Sequence, residues 1–208
     1  MPRDKTISHI RVNKAIKEEF LEKGFEAASI RSIGARAGMT SAGLYRHYAD
    51  KEAMFNAMVE PLVKEIMGWT HRHTEKKYLL LDKEEHTDDL LNETFIDLVR
   101  DVILPNRDEF KLLMTCSRGT KYENFIHDYA LDSQKAFLDA INYLKERGCP
   151  VTDIDEDELH MLFSAYLTAC FEPIIHDCEE EKIDKYLSTI QDFFMPGWMR
   201  IMGIAKEP

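Results

Sequence analysis

The sequence predicts an all-α protein of about nine helices. Apolar residues recur at helical spacing along most of the chain, and no run of alternating β-branched residues bounded by turn signals occurs in it. Two helical segments near the N-terminus are joined through only three residues. The predicted architecture is a three-helix N-terminal head, residues 1–51, and a larger helical body, residues 52–208, with a fourth helix from about residue 51 connecting them.

The composition is that of a soluble globular protein. Hydrophobic residues make up 44% of the chain and charged residues 31%. The longest apolar stretch, residues 161–175, is interrupted by Glu172, so we expect no membrane span. The segment MPRDKTISHIRVNK has charges where a secretory signal has its apolar region, which predicts a cytoplasmic protein. The four cysteines are widely spaced, and reduced thiols are expected.

Charge is distributed unevenly between the two parts. The net charge of the chain is −11, yet residues 1–51 carry +4 and residues 52–208 carry −15. A basic head on an acidic body suggests a polyanionic partner that approaches the head alone. A chance fluctuation of solvated surface charge would produce the same numbers, so charge leaves both explanations open.

The first two predicted helices have defined ends. Between residues 7 and 23 apolar residues recur at helical spacing, and Gly24 follows where a left-handed cap is expected, which would fold Phe25 back onto Phe20. Ser29 offers a hydroxyl cap to the second helix, and Gly38 ends that helix.

Thr40 is placed to cap a third helix from Ser41 to about His47, so the second and third helices meet at the sharp corner of a helix-turn-helix. Leu44 and Tyr48, at positions i and i+4, form an apolar side that can pack inward. The first turn of this helix consists of small residues, which predicts a close neighbour. That neighbour is either another helix of the head or the floor of a DNA major groove.

The fourth helix begins with a cation. Asp50 is placed to cap it, and Lys51 then lies on the first turn, where the helix dipole disfavours a positive charge by about 0.3–1 kcal/mol. A phosphate held by the backbone N–H groups of this turn, by Lys51 and by the Tyr45 hydroxyl would reverse that effect. A solvated surface lysine is the alternative for Lys51 alone.

Residues 29–55, SIRSIGARAGMTSAGLYRHYADKEAMF, closely resemble the helix-turn-helix signature of the TetR/AcrR family of transcriptional regulators. With the supporting first helix, the resemblance covers about a quarter of the chain. It implies contacts to bases and the groove by Thr40, Ser41, Ala42, Gly43 and Arg46. It implies contacts to phosphates by Ser29, Arg31, Tyr45, His47 and Lys51.

Two features depart from the family pattern. Tyr48 stands where the family often has Phe, and Ala42 with Gly43 offers no long donor for base edges. Arg46 would then be the only long base-reading side chain, so we expect groove shape, or an N-terminal arm with Arg3 and Lys5, to add specificity.

Past Lys51 the prediction depends on periodicity again. The fourth helix contains Pro61, which predicts a bend. Pro105 and the segments RGT, GCP and DCEEE mark breaks between the later helices. The later helical segments are residues 88–104, 110–116, 122–147, 155–178 and 183–204.

The last two helices have apolar residues on more faces than one core can cover. Half of an intermolecular four-helix bundle is the favoured explanation, and an interior position within one chain is the alternative. A homodimer would also match half-sites about 34–36 Å apart, and the family resemblance implies the same assembly. The candidate interface residues are Phe171, Ile174, Ile175, Ile190, Phe194 and Trp198.

The resemblance implies a ligand-responsive, sequence-specific DNA-binding regulator, most simply a repressor that an unknown small molecule releases from a double-stranded operator. The acidic body hints at a cationic effector. The candidate pocket residues are aromatic side chains and one methionine: Trp69, Phe95, Phe110, Met114, Tyr122, Phe125, Tyr129, Phe163 and Tyr166.

Two other functional classes stay open at this point. A nucleoid-associated or structural protein without a ligand would use the same head, and an all-α enzyme is the third class. No Gly-rich phosphate loop, His-Glu-x-x-His or Gly-x-Ser-x-Gly pattern occurs, so the sequence predicts no catalytic residues and no cofactor. The histidines and cysteines lack the spacing of a metal site, and no metal is predicted.

Overall fold

The computed structural model describes residues 5–82 and 95–203, with side chains over residues 9–77 and 95–203. Arg3, the side chain of Lys5 and the start of the helix predicted from residue 88 lie outside the described residues.

Helices make up most of the described chain, and no strand occurs within residues 5–82 and 95–203, so the predicted all-α class is confirmed. α5 continues into a π-helical turn, Val99–Ile103, and a 3-10 turn, Leu104–Asn106. The α-helical segments are α1 (Lys5–Ala27), α2 (Ile30–Ala37), α3 (Ser41–Leu44), α4 (Lys51–Asp82), α5 (Phe95–Leu98), α6 (Arg107–Thr115), α7 (Phe125–Glu146), α8 (Glu156–Ile175) and α9 (Glu180–Ile201).

The chain divides into two compact units. The first unit comprises Met1–Glu65 and Asn106–Phe125, and the second unit comprises Ile66–Pro105 and Ile126–Pro208. The first unit therefore includes the beginning of α4 and the whole of α6, although both were expected to belong to the body. Pro61 lies inside α4, and the bend expected there stays a prediction.

A single apolar cluster forms the core of the first unit. α1 to α4 and α6 all contribute side chains to it, because each helix presents an apolar stripe at helical spacing. The residues with no exposed surface in this cluster are Val12, Ile16, Phe20, Ile33, Ala37, Leu44, Met54, Phe55, Val59 and Leu112.

Gly24 lies where the sequence predicts a left-handed cap at the end of the first helix, but α1 continues past it to Ala27 and its backbone is not in the left-handed helical region. Its φ of 71° and ψ of 168° are non-helical and suit glycine, so the chain kinks there. The kink folds Phe25 back toward Phe20, with ring centroids 5.9 Å apart, and Phe55 of α4 packs edge-on against both rings.

A buried carboxylate joins α1 to α2. Glu19 has no exposed surface, and its oxygens accept hydrogen bonds from the Lys23 ammonium at 3.0 Å, the Ser29 N–H at 3.2 Å, the Ser32 hydroxyl at 2.6 Å and Arg36 Nε at 3.0 Å. Burial by itself raises the pKa of Glu19, but the hydrogen bonds from Ser32, Lys23 and Ser29 outweigh it and hold the pKa at about 2. The ionised side chain thus fixes the start of α2 on α1.

The second unit is held together by aromatic side chains. The Phe95 ring lies 6.0 Å from Tyr129, 5.8 Å from Tyr166 and 5.4 Å from Phe171, measured between centroids. α8 begins with a capping box in which Asp155 and Glu158 each accept the other's backbone N–H. The four cysteines form no disulfide, as predicted. None of the helices described is long and apolar enough to cross a membrane.

Candidate nucleic-acid interface and effector pocket

The corner between α2 and α3 is tightly specified. Gly38 adopts the left-handed conformation, with φ 65° and ψ 37°, and ends α2. The Met39 N–H donates to the Gly34 carbonyl at 2.9 Å, and a Cβ at Gly34 would lie 2.9 Å from the Met39 carbonyl oxygen, so only glycine fits at that position. The Thr40 hydroxyl accepts the Gly43 N–H at 3.1 Å and caps α3 as predicted.

α3 is shorter than the sequence predicts. It ends at Leu44, whereas the prediction extended it to about His47. The Arg46 and His47 N–H groups bond three residues back, at 3.4 and 2.8 Å, so the chain leaves the α-helix through a tightened turn. Ser29 also differs from its prediction. It occupies the N-cap position of α2, but its side chain makes no capping bond, and its N–H goes to Glu19 instead.

The predicted inward and outward sides of α3 separate clearly. Leu44 and Tyr48 are buried, and the Tyr48 hydroxyl donates to Asn13 Oδ1 at 2.6 Å. Among the predicted groove-facing residues, Thr40, Ala42 and Arg46 are exposed and Ser41 is half-buried.

Gly43 is the exception among those residues, because it is buried against Met39. A Cβ at Gly43 would meet the Met39 Cβ at 3.5 Å. Met39 therefore covers Gly43 inside the first unit, and this burial contradicts its predicted place among the groove-facing residues.

Most of the described Lys and Arg side chains of the first unit form ion pairs or hydrogen bonds within the protein. Arg11, Arg31 and Arg46 are exposed and have no ion-pair partner among the residues that the structure describes. Two of the three, Arg31 and Arg46, flank the α2–α3 corner in sequence. The paired bases up to residue 36 are Lys14 with Glu18, Lys17 with Glu109, Lys23 with Glu19, and Arg36 with Glu19 and Glu22.

Lys51 is bound to the end of α1. Its ammonium group donates to the carbonyls of Phe25, Glu26 and Ala28 at 2.8, 3.2 and 3.4 Å, and it lies 4.5 Å from the centre of the Phe25 ring. A cation at the start of α4 is thus stabilised by the negative end of α1, a contact that the sequence did not predict. Asp50 caps α4 as predicted, accepting the Ala53 N–H at 2.7 Å.

The remaining predicted phosphate contacts lie on the surface. Ser29, Arg31, Tyr45 and His47 are all exposed, and the Tyr45 ring is 51% accessible. The His47 ring lies 6.2 Å from His9 of α1, measured between centroids. Phosphate binding by this set and by Lys51 stays a prediction.

A cavity of about 210 Å³ lies within the second unit. α4 contributes a largely polar stripe to its wall, α7 contributes small residues, and α8 and α9 contribute aromatic and Met side chains. The lining residues are Trp69, Thr70, His73, Thr74, Lys77, Phe95, Tyr129, Ser133, Ala136, Phe137, Ala140, Phe163, Tyr166, Leu167, Met195, Trp198 and Met202.

The cavity has a local origin in α7. Ser133, Ala136 and Ala140 lie at i, i+3 and i+7, so three small side chains share one face of the helix. Aromatic rings of α7, α8 and α9 pack against one another. The centroid of Phe137 lies 5.4 Å from that of Phe163, and the centroid of Phe163 lies 4.9 Å from that of Trp198. Space is left where the small residues face them.

The hydroxyl groups of Thr70 and Tyr129, both in the cavity wall, are hydrogen-bonded to each other. The Thr70 hydroxyl donates to the Ile66 carbonyl at 2.9 Å, so the Tyr129 hydroxyl is the donor in the 2.8 Å bond that joins Tyr129 to Thr70. Burial raises the pKa of Tyr129 to about 12, more than its hydrogen bonds to Thr70 and Ser133 lower it. The phenol is therefore neutral near pH 7.

The structure separates the predicted pocket residues into two groups. Trp69, Phe95, Tyr129, Phe163 and Tyr166 line the cavity. The other four belong to the first unit: Phe110 and Tyr122 are buried, and Met114 and Phe125 are half-buried. A periodic aromatic residue indicates burial, but its position in the sequence does not reveal which core it enters.

Three of the predicted interface residues are buried inside the second unit. Phe171, Ile174 and Trp198 are 2%, 0% and 7% accessible, so they cannot form a surface for a second chain. Ile175, Ile190 and Phe194 are half-buried. The exposed apolar residues of α8 and α9 are Met161, Leu162, Tyr186 and Phe193.

The polar stripe of α4 was not predicted from the sequence. Thr70, His73, Thr74 and Lys77 lie at i, i+3, i+4 and i+7, a spacing that puts them on one helix face and that could have been read from the sequence. Among the described residues, no group of three or more His, Cys, Asp or Glu side chains could hold a metal ion.

Comparison with known proteins connects this fold to one family. Residues 14–58 match the family model of bacterial regulatory proteins, tetR family. The structure of NalD, the secondary repressor of the MexAB-OprM multidrug efflux pump in Pseudomonas aeruginosa, is similar over 99% of this chain and 100% of that chain, with 19% sequence identity and a TM-score of 0.50. A structure assigned to the TetR-family transcriptional regulators of Mesorhizobium loti covers 92% of this chain and 97% of its own, with 14% identity and a TM-score of 0.39.

No curated protein matches the chain significantly in sequence. At 19% identity the likeness to NalD establishes the fold, and the family model establishes the relationship of the N-terminal segment. The predicted resemblance is therefore confirmed: residues 14–58 match the family model of bacterial regulatory proteins, tetR family, in a chain that has the fold of NalD.

Proposed function

We propose that this chain is a homodimeric repressor that binds a DNA operator through the α2–α3 corner and leaves it when a small molecule occupies the cavity of the second unit. The observation that carries the proposal is the exposed corner itself, which lies within the segment that matches the tetR family model. Sequence-specific binding, repression and ligand response are the parts of the proposal that experiments must establish.

The corner has the shape and charge that a major groove requires. Thr40 and Ala42 are exposed and small, so the backbone of α3 can approach base edges closely. Arg46 extends from the turn that follows α3, and its planar guanidinium can bond two acceptors of a guanine. Arg31 and Tyr45 are exposed and can donate to phosphates on either side.

Dimerisation through α8 and α9 is part of the proposal. Tyr186, Ile190 and Phe193 lie at i, i+4 and i+7 and share one face of α9, and Phe193 is 77% accessible. Met161 and Leu162 are exposed apolar residues of α8. A second copy would cover these side chains, and two copies would present two corners to successive grooves.

One helix connects the proposed sites along the chain. α4 begins with Lys51, which holds the end of α1, and later contributes Trp69, Thr70 and His73 to the cavity wall. A ligand that prefers one position of α4 would therefore change the population of the DNA-binding state.

Binding to duplexes selected from a random pool tests the proposal. Arg46→Ala should lower affinity for the selected duplex by about tenfold or more and lower affinity for random DNA less, because base contacts confer discrimination. Arg31→Ala should weaken binding to both equally, since phosphate contacts carry no sequence information.

Lys64→Ala is the matched control for loss of a positive charge. Lys64 is 78% exposed and lies 13 residues after Lys51 in the same helix, about 20 Å along its axis. It should bind both DNAs as the wild type does. If Arg46→Ala loses affinity equally for both DNAs, Arg46 contacts phosphates and does not read bases. If the wild type binds the selected and the random duplex equally well, the protein belongs with the structural DNA-binding proteins.

A further inference from the structure

Two of the eight histidines of the chain belong to the first unit, and they lie close together there. His9 is on α1 and His47 is in the turn after α3, with ring centroids 6.2 Å apart and planes at 68°. Both residues are exposed, and His47 directly follows Arg46, the proposed base-reading side chain. This histidine pair is therefore adjacent to the proposed DNA-binding corner.

A hydrogen bond between α1 and the turn after α3 fixes the spacing of the histidine pair. The Tyr48 hydroxyl donates to Asn13 Oδ1 at 2.6 Å, and Asn13 lies one helical turn after His9 on the same face of α1. The centroid of the Tyr48 ring lies 6.2 Å from that of the His9 ring. Tyr48 stands where the tetR family often has Phe, which could not donate this bond. The departure from the family pattern thus helps to hold the two histidines together.

The charged groups around the histidine pair leave a positive charge there without a carboxylate. Neither ring forms an ion pair within the part of the chain that the structure describes. Arg46 lies beside the pair in sequence, and Lys5 lies one turn earlier on α1, with its side chain outside the described residues. Asp50 caps α4 instead, and burial raises the pKa of Tyr48, so its phenol stays neutral. A phosphate of DNA would supply the negative charge that a protonated pair needs.

We propose that His9 and His47 together hold one DNA phosphate and take up protons when they do so, which makes DNA binding tighter as the pH falls from 8 to 6. Two rings at this spacing can each donate an N–H to the same phosphate, because each hydrogen bond spans about 2.7–3.2 Å. Histidine changes its charge in this pH range, and a bound phosphate favours the charged form. The inference rests on the proposed function for its DNA partner and adds His9 to the phosphate contacts.

Duplex binding over a series of pH values measures this proton uptake. We would titrate a selected and a scrambled fluorescent duplex with the full-length protein between pH 6 and pH 8 at about 150 mM salt. The wild type should bind both duplexes at least about tenfold more tightly at pH 6 than at pH 8, since binding favours the protonated rings. The factor should be the same for both duplexes, because phosphate contacts carry no sequence information.

Histidine substitutions assign the pH response to the pair. His9→Gln and His47→Gln should each lower the ratio of affinities at pH 6 and pH 8 to about threefold, and the double variant should bring it near one, because glutamine has no charge to gain. His71→Gln is the matched control and should keep the wild-type ratio, since His71 belongs to the second unit and its side chain is 76% exposed. Thermal unfolding at both pH values verifies that each variant is folded.

A wild-type ratio near one would overturn the proposal, as would a double variant that keeps the wild-type ratio or a response confined to the selected duplex. The two duplexes separate this failure from failure of the proposed function. Protein that prefers the selected duplex equally at every pH keeps the proposed function and loses the histidine contact. Protein that binds both duplexes alike, but more tightly at pH 6, has the histidine contact without sequence reading. Protein that binds neither duplex at any pH has neither.

Discussion

In the first unit, charged side chains join one helix to another, whereas in the second unit a polar stripe of α4 lines a cavity. Glu19 connects α1 to α2, and Lys51 connects the start of α4 to the end of α1. Thr70 and Thr74 of the same α4 line the cavity, and the Thr70 hydroxyl is bonded there to Tyr129 of α7. The contrast indicates that the α2–α3 corner is held in one geometry, whereas the second unit contains the space that the proposed function assigns to a ligand.

The packing of small residues shows the same contrast. Gly34, Ala37 and Gly43 of the first unit are buried, and a Cβ at Gly34 would lie only 2.9 Å from the Met39 carbonyl oxygen. Ala136 and Ala140 of the second unit are half-buried and border the cavity. A small side chain therefore permits close packing in one unit and leaves space in the other, a distinction that the residue type alone does not convey.

Breaking the Glu19 network should have the largest effect on stability. Glu19→Gln removes the buried ionised acceptor of Lys23, Ser32 and Arg36 Nε, and we expect the free energy of unfolding to fall by about 3 kcal/mol in urea titrations of the full chain. Glu18→Gln is the matched control, because Glu18 is the adjacent residue and its side chain is 47% exposed. It should change stability by under about 1 kcal/mol. Similar losses in both variants would contradict the proposed role of the buried carboxylate.

The same network predicts a dependence of stability on pH. The pKa of Glu19 is about 2 in the folded chain against an ordinary value of 4.5, so its contribution is fully present above about pH 4.5 and is lost as the pH falls through 2. The stability difference between wild type and Glu19→Gln should shrink by about 3 kcal/mol over that interval, because each pH unit between the two pKa values corresponds to about 1.4 kcal/mol. Unfolding measured at a series of acid pH values gives this difference, and a constant value would show that the carboxylate is not held ionised.

A pair of alanine substitutions sharpens the comparison between the units. Ala37→Leu inserts three carbons into a site with no exposed surface, so it should lower the free energy of unfolding by about 1–3 kcal/mol. Ala140→Leu adds the same atoms beside the cavity and should be neutral or raise stability by up to about 1 kcal/mol. Leucine has nearly the helix propensity of alanine, so packing accounts for the difference. Equal losses at both positions would mean that the cavity cannot accept a side chain.

Lys51 should have the smallest of these effects. Lys51→Met removes the cation from three backbone carbonyls at the end of α1, and we expect a loss of about 1–2 kcal/mol in thermal or urea unfolding. Lys64→Met is the control from the same helix and should stay within about 0.5 kcal/mol of the wild type. If Lys51→Met is as stable as this control, Lys51 does not stabilise the end of α1, and a phosphate contact is the role that remains for it.

The local features of the first unit could be predicted from the sequence because short-range rules determine them. Four residues near the N-terminus shape the helix ends. Gly24 kinks α1 and Gly38 ends α2, while Thr40 caps α3 and Asp50 caps α4. Lys51 was harder to interpret, because its carbonyl partners lie 23 to 26 residues away in sequence. Its position on α4 was evident, but its contacts with α1 depend on how the helices pack.

The site in the second unit was only partly predictable for the same reason. Phe110 and Phe163 have the same apolar character in the sequence, yet Phe110 is buried in the first unit and Phe163 lines the cavity of the second. Phe171 and Phe193 both lie on helices with wide apolar coverage, and only the structure shows that the first is 2% and the second 77% accessible. Periodicity predicts which helices carry excess apolar surface, but tertiary packing decides which side chains remain outside.

The specificity of DNA binding tests the central claim most directly. The affinity of the full-length protein for its selected duplex, divided by its affinity for a scrambled duplex of the same length, should be about 1,000 or more at about 150 mM salt. A ratio near one, measured by fluorescence anisotropy under the same conditions, would contradict the claim that the α2–α3 corner reads a DNA sequence.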